Sequence, residues 1–91
     1  MASDSPVDPA RAPRRFFARV LPGPGEVAAW YDLGGACEGA LRGARALCAV
    51  TRPGRGRVFL YRDPPLADGL PGGEYLAGWR RDDAGALVAI P

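Results

Sequence analysis

Short segments rich in alternating apolar residues recur along the chain, and this alternation is the pattern of a β-strand with one buried face. The first segment is RRFFARVL (residues 14–21), where Phe16 and Val20 fall on the same face. The segment VAAWYDL (residues 27–33) predicts a second strand. Because the prolines and glycines of PGPGE (residues 22–26) cannot extend a ladder between them, the two strands are predicted to form a hairpin.

The segment GGACEGALRGARALCAV (residues 34–50) supports two interpretations. Small and apolar residues recur at helical spacing from Cys37 to Cys48, which favours a short helix over residues 36–46. Gly39 and Gly43 weigh slightly against it, because each glycine costs a helix about 1 kcal/mol relative to alanine. A helix and an irregular loop therefore both stay open for this segment.

The rest of the chain predicts further strands. ALCAVTR (46–52) and RGRVFLYR (55–62) flank a Pro-Gly turn, and EYLAGW (74–79) and ALVAIP (86–91) bracket a second turn at residues 83–85. Short strands separated by turns at about ten-residue intervals are typical of small barrels and sandwiches. We therefore expect a mainly β, single-domain barrel or sandwich of about five to six short strands.

Two segments resemble parts of SH3 domains. AAWYDL (residues 28–33) is similar to the ALYDY strand of that family, and GWRRDDAGALVAIP (residues 78–91) is similar to its Trp-containing C-terminal end. The stretch between them is a dozen or more residues longer than in SH3 domains, and the closing Asn-Tyr is absent. The resemblance implies an SH3-like barrel shape and says nothing about proline-rich ligands.

The chain has the length of one domain with one core. Residues 1–13 contain three prolines and little to bury, so they are predicted to be a flexible tail, with residues 14–91 forming the domain. The opening residues carry no basic and apolar leader, and no apolar run is long enough to cross a membrane. We therefore expect a cytoplasmic protein, or a nuclear one if it is viral, with no membrane partner.

The amino-acid inventory excludes much of enzyme chemistry. The chain has no His, Lys, Asn or Gln, so imidazole bases, His metal ligands and lysine Schiff bases are all excluded. Cys37 and Cys48 match no metal motif; two buried free thiols are favoured, and a disulfide is the alternative if their segment folds back. We expect no catalysis, no cofactor and no metal.

Charge is distributed unevenly. Residues 11–62 contain ten arginines against three acidic residues, whereas residues 63–91 contain two arginines against five. Such an asymmetry is typical of a surface for an acidic partner.

If residues 55–62 form a strand, alternation places its arginines and aromatics on one face, as a nucleic-acid platform requires. A solvated edge strand blunted by charge explains the same pattern. The nucleic-acid interpretation uses Arg14, Arg15, Arg52, Arg55, Arg57, Phe59 and Tyr61.

The interpretation favoured by the sequence is a non-catalytic regulatory module that binds another protein. Its composition, which reflects GC-rich codons, suggests an accessory factor of a bacterium, phage or virus. The predicted contact residues are the aromatics and the long loop of residues 63–73, since aromatic side chains anchor most interfaces. These residues are Trp30, Tyr31, Leu66, Leu70 and Trp79. A homodimer formed through an unpaired strand is also expected.

Overall fold

The computed structural model describes residues 15–23 and 25–91. The predicted tail and Arg14 lie outside the described residues. The described residues form five strands and one helix. In chain order these are β1 (Phe16–Leu21), β2 (Ala29–Asp32), α1 (Cys37–Ala49), β3 (Arg57–Arg62), β4 (Tyr75–Arg81) and β5 (Leu87–Ile90).

The strands form one antiparallel sheet in the order β2-β1-β3-β4-β5. The mainly β prediction is confirmed. The barrel or sandwich is not confirmed: within the described residues the outer edges of β2 and β5 have no partner strand, and no second sheet is present. The physical reason is that α1 covers one face of the sheet, so the apolar side chains on that face are buried without closure.

The helix α1 confirms the helical interpretation, and it extends beyond the predicted residue 46 to Ala49. The strand predicted for residues 46–52 is therefore wrong. Ala40, Ala44 and Cys48 recur every fourth residue and are fully buried, and such small side chains let a helix approach a sheet closely. Gly43 contributes to this packing, because a Cβ there would lie 3.2 Å from the Leu33 side chain.

The core lies between α1 and the covered face of the sheet. Its buried members are Phe16, Ala18, Val20, Ala40, Ala44, Cys48, Val58, Leu60 and Trp79. Trp79 faces Val58 across the β3–β4 ladder and is only 9% exposed. Trp79, a predicted protein-contact residue, therefore lies in the core, because alternation along β4 turns its side chain toward the helix.

The two cysteines are free and lie at opposite ends of α1. Eleven residues of helix separate them by about 16 Å, which is too far for a disulfide. Cys48 is buried as predicted, and burial raises the pKa of its thiol. Cys37 is exposed, contrary to the prediction that both thiols are buried.

Candidate functional site

One side of the sheet faces away from α1, and we call it the open face. Side chains alternate along each strand, so residues out of phase with the core belong to this face. Cross-strand register arranges them in three rows. The first row contains Asp32, Phe17, Tyr61 and Tyr75, the second Trp30, Arg19, Phe59, Gly78 and Ile90, and the third Leu21, Arg57, Arg80 and Val88. The open face thus changes from aromatic at one end of β3 to basic at the other.

Four aromatic side chains of the open face contact one another, and we call them the aromatic cluster. The ring centroids of Trp30 and Tyr61 lie 5.5 Å apart, and those of Tyr61 and Tyr75 lie 5.7 Å apart. Phe59 joins the cluster through Tyr75 at 6.2 Å. Tyr75 is 43% exposed, and the other three are half-buried. The cluster is therefore a partly exposed aromatic surface, with spacings that favour stable ring pairs.

The loop between β3 and β4 reaches back to the aromatic cluster. The indole Nε1 of Trp30 donates a hydrogen bond to the carbonyl oxygen of Gly69 at 2.9 Å. The loop is also held internally, because the amide of Leu66 donates to the carbonyl of Leu70 at 2.8 Å. Leu66 and Leu70 are themselves 54% and 52% exposed. The loop thus exposes two apolar side chains on a backbone that is fixed by hydrogen bonds.

Arginines occupy the second and third rows of the open face. Arg57 lies directly opposite Arg80 in the β3–β4 ladder, and both are exposed. Neither makes an ion pair or a side-chain hydrogen bond with another described residue. Like charges directly opposite each other destabilise a sheet. In the second row, the Nε atom of Arg19 is buried without a hydrogen-bond partner in the described part of the chain. The facing arginines and the buried Nε of Arg19 therefore both lower the free energy of unfolding of the domain.

A cleft of about 370 Å³ lies at the basic end of the open face. It forms where β1 ends and β3 begins, between the two loops that adjoin those ends. Its lining residues are Leu21, Gly23, Gly25, Glu26, Gly54, Arg55 and Arg57. Gly54 has a φ of 77°, and a Cβ there would collide with the Asp83 carboxylate. The turn that carries Arg55 into the cleft thus requires glycine at residue 54.

Two of the acidic groups next to these arginines are paired. Asp32, the one acidic residue in the three rows, forms an ion pair with Arg15 at 3.0 Å. The hydrogen bond from Arg15, followed by one from the backbone amide of Gly34, lowers the pKa of Asp32. Glu26 in the cleft pairs with Arg52, also at 3.0 Å. The unpaired charge within the three rows is consequently positive, whereas the Asp83 carboxylate, which lies beside Gly54 at the cleft, forms no ion pair with a described residue.

The residues predicted for nucleic-acid binding divide into two groups. Arg57, Phe59 and Tyr61 lie together on the open face, and Arg55 lines the adjoining cleft. Arg15 and Arg52 are instead engaged in the two ion pairs.

The residues predicted for protein contact are dispersed. Trp30 belongs to the aromatic cluster, and Leu66 and Leu70 lie on the loop above it. Tyr31 is 46% exposed on β2 and belongs to the opposite side of the sheet, in register with Ala18. Trp79 lies in the core. These five residues therefore do not form one continuous surface.

Arg19, Tyr75 and Arg80 are among the residues of the open face that the sequence interpretation missed. Arg19 has a local signal, because it alternates with the core residues Ala18 and Val20. Arg80 and Tyr75 have none, since their place on this face follows from pairing with β3 and from the register shift between Leu60 and Tyr61.

In the described residues, no group of three or more His, Cys, Asp or Glu side chains could hold a metal ion. The helix described here lacks the length and apolar character needed to cross a membrane. Comparison of the chain with protein-family models, with curated proteins and with solved structures finds no significant match.

Proposed function

We propose that the protein is a non-catalytic module that binds single-stranded nucleic acid on its open face. The observation that carries the proposal is the joint placement of Arg19, Arg57 and Arg80 beside an aromatic cluster, with the one acidic residue of the three rows neutralised. Arginines track backbone phosphates, and aromatic rings stack with bases of any sequence.

The unrelieved repulsion between Arg57 and Arg80 supports this proposal. Two arginines directly opposite each other at the end of the β3–β4 ladder repel each other, which solubility alone does not require. A bound phosphate between the two guanidinium groups turns this repulsion into two attractions. Tyr75, the most exposed ring of the aromatic cluster, is the first available stacking surface.

The test is binding of fluorescent single-stranded DNA, single-stranded RNA and duplex DNA, followed by anisotropy between 50 and 200 mM salt. We expect the single strands to bind more tightly than the duplex, with a log affinity that falls linearly with log salt. Because the two arginines share one phosphate, the double variant Arg57→Ala/Arg80→Ala should reduce that salt slope by about 0.7, the value for one lost phosphate contact.

The matched control removes the same charge from the solvent side of α1. Arg42 and Arg45 are both exposed there, so Arg42→Ala/Arg45→Ala should leave the salt slope almost unchanged. Absence of binding at 50 mM salt, or equal losses in both double variants, would contradict the proposal.

A second candidate function is protein binding through the loop, which one specific observation favours. Leu66 and Leu70 are half exposed although their loop is fixed by the Trp30 hydrogen bond, and a pre-ordered apolar surface loses little entropy on binding. Leu66→Ser/Leu70→Ser should abolish stoichiometric capture of a partner protein, whereas Val50→Ser, at an 81% exposed site on the helix end, should not. Capture that survives the loop variant would contradict this candidate.

The unpaired edges of β2 and β5 support a related proposal, a homodimer. Sedimentation analysis tests it directly: a monomer at all concentrations contradicts it. An accessory or regulatory role in a GC-rich bacterium, phage or virus is consistent with either form of binding.

A further inference from the structure

We propose that the cleft at the basic end of the open face binds a phosphate monoester at the terminus of the nucleic-acid strand. The inference rests on the proposed function and specifies which end group of the bound strand the protein prefers. It starts from the position of the cleft, which lies beyond the third row, where β1 ends at Leu21 and β3 begins at Arg57.

Two unpaired guanidinium groups line the cleft. Arg55 and Arg57 are both exposed, and neither forms an ion pair with a described residue. Arg80 stands opposite Arg57, where the Cβ atoms of directly facing residues are about 5 Å apart. A planar guanidinium binds two phosphate oxygens at once, so arginines converging on one point are suited to a phosphate with several free oxygens.

The acidic residue of the cleft does not cancel this charge. Glu26 is held at 3.0 Å by Arg52, which is not among the lining residues. The unpaired charge on the lining is therefore that of Arg55 and Arg57, and one carboxylate that forms no ion pair with a described residue, that of Asp83, lies beside Gly54 at the cleft. A volume of about 370 Å³ is also within the range that holds small organic ligands, so there is room for a phosphate with part of its sugar.

The preference for a terminal phosphate follows from charge and position. A phosphate monoester carries a charge of about −1.5 to −2 at pH 7, whereas each internal linkage carries one negative charge. Tyr61 and Arg57 are four residues apart on β3, which corresponds to about 13 Å along the strand. A single strand that stacks on the aromatic cluster and follows β3 would therefore deliver its end to the cleft.

The test compares three oligonucleotides of one sequence that carry a 5′-phosphate, a 3′-phosphate or hydroxyl groups at both ends. We expect one phosphorylated end to improve affinity about tenfold, the effect of a charged hydrogen-bond pair. Arg55→Ala should remove this preference while keeping most of the affinity for the hydroxyl-ended strand, because Arg55 lies outside the three rows of the open face. Arg42→Ala, on the exposed side of α1, is the control.

A second variant is expected to strengthen binding of the phosphorylated end, whereas Arg55→Ala is expected to weaken it. Glu26→Gln removes the carboxylate and leaves Arg52 free, so the affinity for the phosphorylated end should rise about threefold. Circular dichroism of each variant establishes that the fold is retained.

The outcomes separate the two proposals. Equal affinity for all three oligonucleotides overturns the inference and leaves the proposed function standing. If adenosine monophosphate binds and shifts the Gly54 and Arg55 amide resonances while no oligonucleotide binds, the cleft is a phosphate site and the proposed function is overturned. Absence of binding by every probe overturns both.

Discussion

The two faces of the sheet are built from the same strands and differ in what their side chains can do. On β3, Val58 and Leu60 are completely buried under α1, whereas Arg57 on the other face is exposed and forms no ion pair with a described residue. The covered face holds apolar side chains that exclude water. The open face carries two arginines that repel each other and a cluster of partly exposed aromatic rings. The difference indicates that the covered face supplies the apolar core of the domain, whereas the open face carries exposed charge and aromatic rings.

The largest expected effect separates the two faces on one strand. Trp79→Ala removes a core ring and should lower the free energy of unfolding by about 3–5 kcal/mol, a large part of the stability of so small a domain. Tyr75→Ala, on the open face of the same strand, should cost far less because this ring is 43% exposed. Urea denaturation of both variants measures the contrast. Equal losses would mean that the aromatic cluster is a second core.

A smaller effect is expected where the loop meets the open face. Trp30→Phe keeps an aromatic ring but removes the hydrogen bond to Gly69, which should cost about 1 kcal/mol. The loop should then be cleaved faster by a nonspecific protease such as proteinase K, while the core strands remain protected. Tyr31→Phe, on the other side of β2, serves as the control. Unchanged cleavage in Trp30→Phe would show that this bond does not hold the loop.

A still smaller effect, of opposite sign, is expected from the opposed arginines. Arg80→Thr removes the repulsion with Arg57 and should raise stability by about 0.2–1 kcal/mol, while it weakens oligonucleotide binding. Thermal denaturation and anisotropy on the same sample measure both quantities. A loss of stability in this variant would contradict the view that the arginine pair is kept for binding.

The smallest effect concerns the acidic group of the open face. Because the pKa of Asp32 is lowered in the folded protein, its contribution to stability is present above the unfolded pKa of 3.8 and is lost as the pH falls through the folded pKa. Wild-type stability should therefore decline more steeply below pH 4 than that of Asp32→Asn. Parallel acid profiles would contradict a stabilising ion pair with Arg15.

The alternation of apolar and polar residues and the positions of turn residues were sufficient to predict much of the fold. The alternation in residues 14–21 and 55–62 predicts β1 and β3 close to their observed limits, and the turn at residues 83–85 separates β4 from β5. Alternation also predicts that Arg57, Phe59 and Tyr61 share one face, opposite Val58 and Leu60. These features depend on residues near each other in the chain, so their physical causes are visible in the sequence.

Tertiary structure decided the rest. Residues 37–49 became a helix because burying Ala40, Ala44 and Cys48 against the sheet outweighs the cost of two glycines. Trp79 became core because α1 covers the side of β4 on which it lies, and Arg80 came to face Arg57 through the register between β3 and β4. Burial and cross-strand pairing join residues far apart in the chain, so these contacts cannot be predicted from a short segment of sequence. The amino-acid sequence alone thus determined which residues alternate and where the chain turns. Only packing determined which face α1 covers and which arginines meet on the face it leaves open.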